Sequence, residues 1–248
     1  MKALIRRIAL GLGGLVEHDR QGKILFYHDI FSTQQYTDMG TSLERFESHV
    51  RAIQKAGFTI VSHAPFEPHE VQICLDDGFR GIYDCASWFN SHGIYPTIFI
   101  APDLVGKTGY LSWSEILELQ TIGFVFQSHT WSHRPLTEVP TNELNHELLE
   151  SRCFIAEKLG REVDSICFPC GLFSDRVVEV AHESGYKDLI TSIPGAYRDV
   201  LPVTCRGAEK LRTRNLVQFL SAAEVVSVLK GGMRLFQRRY LNMHYKPD

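Results

Sequence analysis

The chain has 248 residues, of which 44% are hydrophobic and 22% charged. These proportions suit a globular domain and exclude a collagen-like, disulfide-stapled or intrinsically disordered chain. The formal net charge of −3 gives no overall attraction for nucleic acid, although residues 206–248 hold nine Lys/Arg against three Asp/Glu. No run of four basic residues occurs there, so this end reads first as a solvated face, and second as a surface for anionic lipid.

In chain order, residues 1–22 begin with Lys2, Arg6 and Arg7 and an apolar run from Ile8 to Val16. That run is too short to cross a bilayer, which takes about 20 residues. No clear small-x-small cleavage site follows it. The segment reads as a terminal helix, compatible with peripheral contact with a membrane. Apolar strand-like runs then follow: KILFYH at 23–28, FTIVS at 58–62, VQICL at 71–75, YPTIFI at 95–100, GFVFQS at 123–128, DSICF at 164–168 and KDLITS at 187–192. They are nearly continuous, as strands buried on both faces should be.

Helical patterns lie between them, at 42–56, 80–92, 112–123, 141–159 and 174–184. Gly57, Gly93, Gly160 and Gly185 supply stops, and Ser112 with Glu115 forms a capping-box pair. The alternation predicts an α/β fold with a mostly parallel sheet, and about seven strands in one unit favour a barrel. The expected division is an N-terminal helical segment (1–22), a barrel (23–205) and basic C-terminal helices packed on it (206–248). Six scattered cysteines, several inside apolar runs, suit free thiols in a reducing compartment. The expected location is cytoplasmic, with membrane association through the basic termini, rather than secreted.

Titratable residues gather just after the strand runs. VQICL leads into Asp76-Asp77-Gly78, GFVFQS into His129 with His133 four residues on, and KILFY into His28. DSICF leads into Pro169-Cys170-Gly171. Parallel α/β folds bind ligands at the carboxyl ends of their strands, so these residues share one face. On a helical turn, His129 and His133 point to one side and can share a metal ion. Asp76-Asp77-Gly78 can be a simple turn. Beside a His pair, one Asp can instead complete a two-His, one-carboxylate set and the other can act as a base. Cys167 and Cys170, seen alone, fit a redox dithiol or half a zinc site.

ICLDDGF followed by SHTWSH resembles the first two motifs of the polysaccharide deacetylases, carbohydrate esterase family four. ILFYHDI resembles the Tyr-His strand of one branch, and the similarity runs from about residue 23 to 193. The resemblance implies a distorted (β/α)7 barrel with extra C-terminal helices. It implies Asp77, His129 and His133 as ligands of a divalent metal, most often zinc, with Asp76 as general base. The implied reaction is hydrolysis of an acetyl group from an N-acetylated polysaccharide, oligosaccharide or lipid-linked glycan. O-acetyl ester hydrolysis, and glycan binding without chemistry, are the alternatives. CFPCG stands in the place of the third motif, where Arg and Tyr are usual. Pro169, Cys170 and Gly171 would then shape an oxyanion loop, with the Arg that orients the base missing. The family's last-motif His has no evident counterpart, since His244 stands almost at the end of the chain. His28 is the substitute candidate for the general acid.

Overall fold

The computed structural model describes residues 19–248, so the expectations for residues 1–18 lie outside it. The strands are β1 (Lys23–Tyr27), β2 (Asp29–Phe31), β3 (Gly40–Ser42), β4 (Thr59–Val61), β5 (Glu70–Leu75) and β6 (Thr97–Ile100). They continue with β7 (Val125–Ser128), β8 (Ser165–Cys167), β9 (Asp188–Ile190), β10 (Leu211–Arg212) and β11 (Asn215–Leu216). β2 and β3 pair as a small sheet of their own, and the other nine form one sheet. Every pairing in it is parallel.

The sheet runs β10-β9-β8-β7-β6-β5-β1-β11, with β4 against the first half of β5. β10 and β11 are separated in the chain by Thr213 and Arg214 alone. The two ends of the sheet are therefore halves of one interrupted strand, and the sheet closes on itself as a distorted seven-stave barrel. At the interruption Arg214 N–H donates to Ile193 O at 2.9 Å. The Asn215 side chain bonds both Gly195 N–H (3.2 Å) and Gly195 O (2.8 Å), supplying partners that a regular neighbour strand would supply.

The near-continuous apolar runs follow from burial on both faces. Ile24, Phe26, Cys74, Phe99, Cys167 and Ile190 fill the barrel interior with Tyr197. Alternate residues on the same strands, such as Leu25, Tyr27, Ile73, Ile98, Ile166 and Leu189, pack outward under the helices. Cys74 and Cys167 are thus small fillers of a narrow interior, and all six cysteines are free.

The helices are Leu43–Lys55, Gly81–Asp84, Ala86–His92, Trp113–Thr121, Ser151–Leu159, Asp175–Glu183, Ala222–Leu229 and Gln237–His244. Among the described residues no helix is long and apolar enough to cross a membrane. The helix expected at 80–92 is divided at Cys85. The one expected at 141–159 is a 3-10 turn (Thr141–Glu143), a π-helical turn (His146–Glu150) and then α-helix. The wide turn carries Glu147 inward, where the loop after β7 bonds its carboxylate. Residues 206–248 are not wholly helical, because β10 and β11 lie there and close the barrel.

Behind the loop after β5, buried Asp29 accepts from Ile30 N–H at 2.9 Å and sits against Gly81. Burial pushes its carboxyl up to about 7, against backbone N–H groups of Ile30, Ile82 and Gly81 that pull it down. An acid whose folded pKa is raised binds more protons folded than unfolded, so stability falls as pH rises between about 4 and 7. The difference in urea midpoint between pH 5 and pH 8 is expected to shrink in Asp29→Asn; an unchanged difference would refute this role.

Candidate metal centre and its paired carboxylate

The titratable residues meet at the carboxyl ends of β1, β5 and β7. Asp77 and Gly78 both hold left-handed backbone, φ 70° and 74°. That turn lets the adjacent Asp76 and Asp77 side chains enter one cavity, where an extended strand would send them to opposite faces. Asp77 Oδ1 lies 3.2 Å from His129 Nε2 and 2.9 Å from His133 Nε2.

The two imidazoles do not converge through a helical turn, as their spacing suggested. They sit on a loop in which Thr130 (φ 68°) and His133 (φ 62°) are left-handed, and their ring centroids are 4.7 Å apart. His129 is held by the sheet: its N–H donates to Ile100 O at 2.8 Å. Its Nδ1 lies 2.7 Å from Cys167 O, which makes Nδ1 the protonated nitrogen and leaves a lone pair on Nε2.

These residues fit a divalent ion. One ligand atom each from Asp77, His129 and His133 falls within 4.8 Å of the others. Asp77 Oδ1 is a buried oxygen with no donor aligned on it. Two neutral imidazoles and one carboxylate leave coordination positions open for water and substrate. Burial would raise the Asp77 carboxyl, but the facing imidazoles hold it well below the usual carboxylate range.

Asp76 has a different partner. Arg214, on the interruption of the closing strand, donates to both its oxygens, at 2.6 and 2.7 Å. Both side chains are almost fully buried. The guanidinium stacks 3.7 Å over the Phe26 ring, and its Nε donates to Thr191 O at 3.0 Å. Burial pushes the Asp76 carboxyl up, Arg214 pulls it down, and the net direction is down. The expectation that the orienting Arg is missing is therefore corrected: Cys167 replaces it in the third motif, and Arg214 supplies a guanidinium from another strand. Its only sequence signal is LRTRN, four polar residues between Leu211 and Leu216.

Pro169–Gly171 forms a tight turn with Cys170 at φ 56°. The Cys170 side chain is exposed while Cys167 points into the barrel, so the two thiols do not act as a pair. A cavity of about 330 Å³ joins Asp76, Asp77, His129, His133, Cys170 and Gly171 with His28, Arg214 and His244. His28 Nδ1 is 2.8 Å from Gln218 Oε1, so its Nε2 is the nitrogen left for the cavity. His244, which sequence reasoning could not place, is brought here by the C-terminal segment pairing with the third-motif loop. Its Nδ1 is 3.0 Å from Tyr240 O, and burial with nearby Lys246 and Arg214 lowers its pKa. A second cavity, about 480 Å³, opens at the start of the strands. Its polar groups satisfy one another, Gln72 with Thr97 and Gln127 with the N–H groups of Asp164 and Ser165.

Fold and site together define a class: a parallel β/α barrel with a two-His, one-carboxylate centre and an arginine-paired carboxylate at its strand ends. The chain belongs to the polysaccharide deacetylase family, whose model matches residues 64–189. It is 25% identical over 188 residues to YxkH of Bacillus subtilis (strain 168), covering 70% of this chain and 65% of that protein. It is 23% identical over 134 residues to an uncharacterised 30.6 kDa protein of Geobacillus stearothermophilus, covering 50% and 46%. The chain thus spans less than two thirds of the length of either relative. Among solved structures, the Streptococcus pyogenes deacetylase PplD superposes with TM-score 0.71 at 17% identity, covering 84% of this chain and 98% of that one. A Bacillus cereus polysaccharide deacetylase gives 0.72 at 22%, covering 84% and 69%, and IcaB of Ammonifex degensii 0.72 at 18%, covering 85% and 97%. These structures share the barrel.

Arg214→Met leaves Asp76 as an uncompensated buried charge and is expected to cost about 3–5 kcal/mol of stability in urea unfolding. A loss below about 1 kcal/mol would mean that Asp76 finds another partner.

Proposed function

We propose that the protein is a metal-dependent hydrolase that removes acetyl groups from an N-acetylated carbohydrate. The observation that carries this reading is the pairing of Arg214 with Asp76 beside the Asp77, His129 and His133 cluster, in one cavity of about 330 Å³. Family membership supports the substrate class.

Asp77, His129 and His133 would hold the divalent ion, with zinc as the first candidate from the nitrogen-rich donor set. When bound, such an ion supplies Lewis-acid polarisation of the acetyl carbonyl and makes water more acidic. Asp76, kept ionised by Arg214, accepts the proton that the attacking water loses. Arg214 also prevents Asp76 from turning away, because both carboxylate oxygens are bonded. The Cys170 N–H, on the turn shaped by Pro169 and Gly171, donates to the oxygen that gains charge. His28, oriented by Gln218, gives a proton to the departing amine.

An amide needs that last proton more than an ester does. The absence of a recognisable last-motif His favoured an O-acetyl esterase, but His28 and His244 both line the cavity, and two imidazoles favour the N-acetyl reaction. A protein that only binds glycans gains nothing from a buried, arginine-paired carboxylate beside a ligand cluster.

Asp76→Asn should keep wild-type zinc content and lose about 10²–10⁴-fold in kcat for acetate release from chito-oligosaccharides. Turnover near the wild-type level would remove Asp76 as the base.

In the wild type, activity should be lost as pH falls through the Asp76 pKa, which lies below the usual carboxylate range. His28→Gln is expected to lower kcat for acetate release by about 10²-fold or more and His244→Gln by less than about tenfold; the reverse pattern moves the acid role to His244.

A further inference from the structure

Three side chains form the ligand cluster, and they are not equally well held. Asp77 is the second residue past β5 and His129 follows β7 directly, so the sheet positions both. His133 stands five residues past the end of β7, is 30% exposed and occupies left-handed backbone at φ 62°. Thr130, in the same loop, is a β-branched residue at φ 68°, a conformation that is strained for such residues. A loop of this kind persists only where its surroundings over-determine it.

Glu147 does this from behind. It is fully buried at 0% exposure. Its Oε2 accepts from the backbone N–H of Trp131 and of Ser132, both at 3.0 Å. Its Oε1 accepts from Ser132 Oγ at 2.5 Å and from Arg134 Nη2 at 3.2 Å. One carboxylate therefore ties Trp131, Ser132 and Arg134, the positions flanking His133 on both sides. Burial opposes its charge, but the bonds from Ser132, Arg134 and Trp131 prevail and keep it ionised. The π-helical turn at His146–Glu150 brings it there, and such turns recur at functional positions. On the other side, Trp131 Nε1 donates to Asp103 Oδ1 at 2.9 Å and Asp103 N–H donates to Trp131 O at 3.1 Å.

We propose that Glu147 is a positioning residue for the metal centre: it clamps residues 131–134 and so holds the His133 imidazole against Asp77. The inference rests on Asp77, His129 and His133 being metal ligands. Glu147 contributes no atom to the ligand cluster of Asp77, His129 and His133. Without it, the loop relaxes its left-handed residues, and His133 pays in occupancy at Asp77.

The test measures zinc affinity of the full chain by competition with a chromophoric chelator, alongside the melting temperature of the metal-free protein. Glu147→Gln keeps the size of the side chain but replaces one acceptor oxygen by a donor. It is expected to weaken zinc binding about 10–100-fold, as loss of an outer partner does. Turnover should return at saturating zinc with the substrate KM unchanged. Zinc affinity within twofold of wild type, with a lowered melting temperature, would show a purely structural role and overturn the proposal. If Glu147→Gln does not fold, Ser132→Ala decides instead: it removes one bond to the clamp and should weaken zinc in the same direction by a smaller factor. Unchanged affinity in Ser132→Ala then overturns the proposal. If the wild-type chain binds neither zinc nor other divalent ions, the ligand reading itself fails, and the clamp with it.

Discussion

The buried bond between Asp76 and Arg214 ties the closure of the barrel to the chemistry of the site. Asp76 directly follows β5, and Arg214 sits on the interruption of the strand that closes the sheet. Neither charge is tolerable alone at that depth, since an unpaired buried ion costs several kcal/mol. Paired in two parallel bonds, they satisfy each other only if the last strand returns to β1 in the observed register. The Phe26 ring beneath the guanidinium and the Thr191 carbonyl beside it fix the remaining freedom of the arginine.

Two neighbouring carboxylates have separate partners, Arg214 for Asp76 and the two imidazoles for Asp77. Asp76 faces a permanent cation that cannot bind a metal. Asp77 faces two imidazoles whose lone pairs can share one ion with it. The left-handed turn at Asp77 and Gly78 makes this division possible, by aiming successive side chains into one space. The interior beneath them is narrow and apolar, and Cys74 and Cys167 fit there because their side chains are small. The C-x-x-C pattern therefore separates into a filler of the barrel and an exposed position on a turn.

The C-terminal segment has more than a packing role. It contributes the closing strand, and then Met233, Tyr240 and His244 to the wall of the cavity that holds Asp76 and Asp77. Its last residues pair with the third-motif loop: Phe173 N–H donates to His244 O at 3.1 Å and Lys246 N–H to Phe173 O at 2.8 Å. A loop that has lost its family-typical side chains is thus supported through its backbone.

Much of this was legible in the chain itself. Apolar runs of strand length between amphipathic stretches determined a parallel α/β barrel, because strands buried on both faces leave few polar positions. DDG and HTWSH after two of those runs placed Asp76, Asp77, His129 and His133 together, because the residues after parallel strands share one face. The tertiary structure alone decided what depends on distant partners. Arg214 meets Asp76 across 138 positions, and Glu147 meets the His133 loop from a turn that helical periodicity hides. His244 reaches the cavity only because the chain end folds back onto Phe173. Local pattern records which face a residue occupies within its own element; the partner on that face is chosen by packing between elements, which no short stretch of sequence contains.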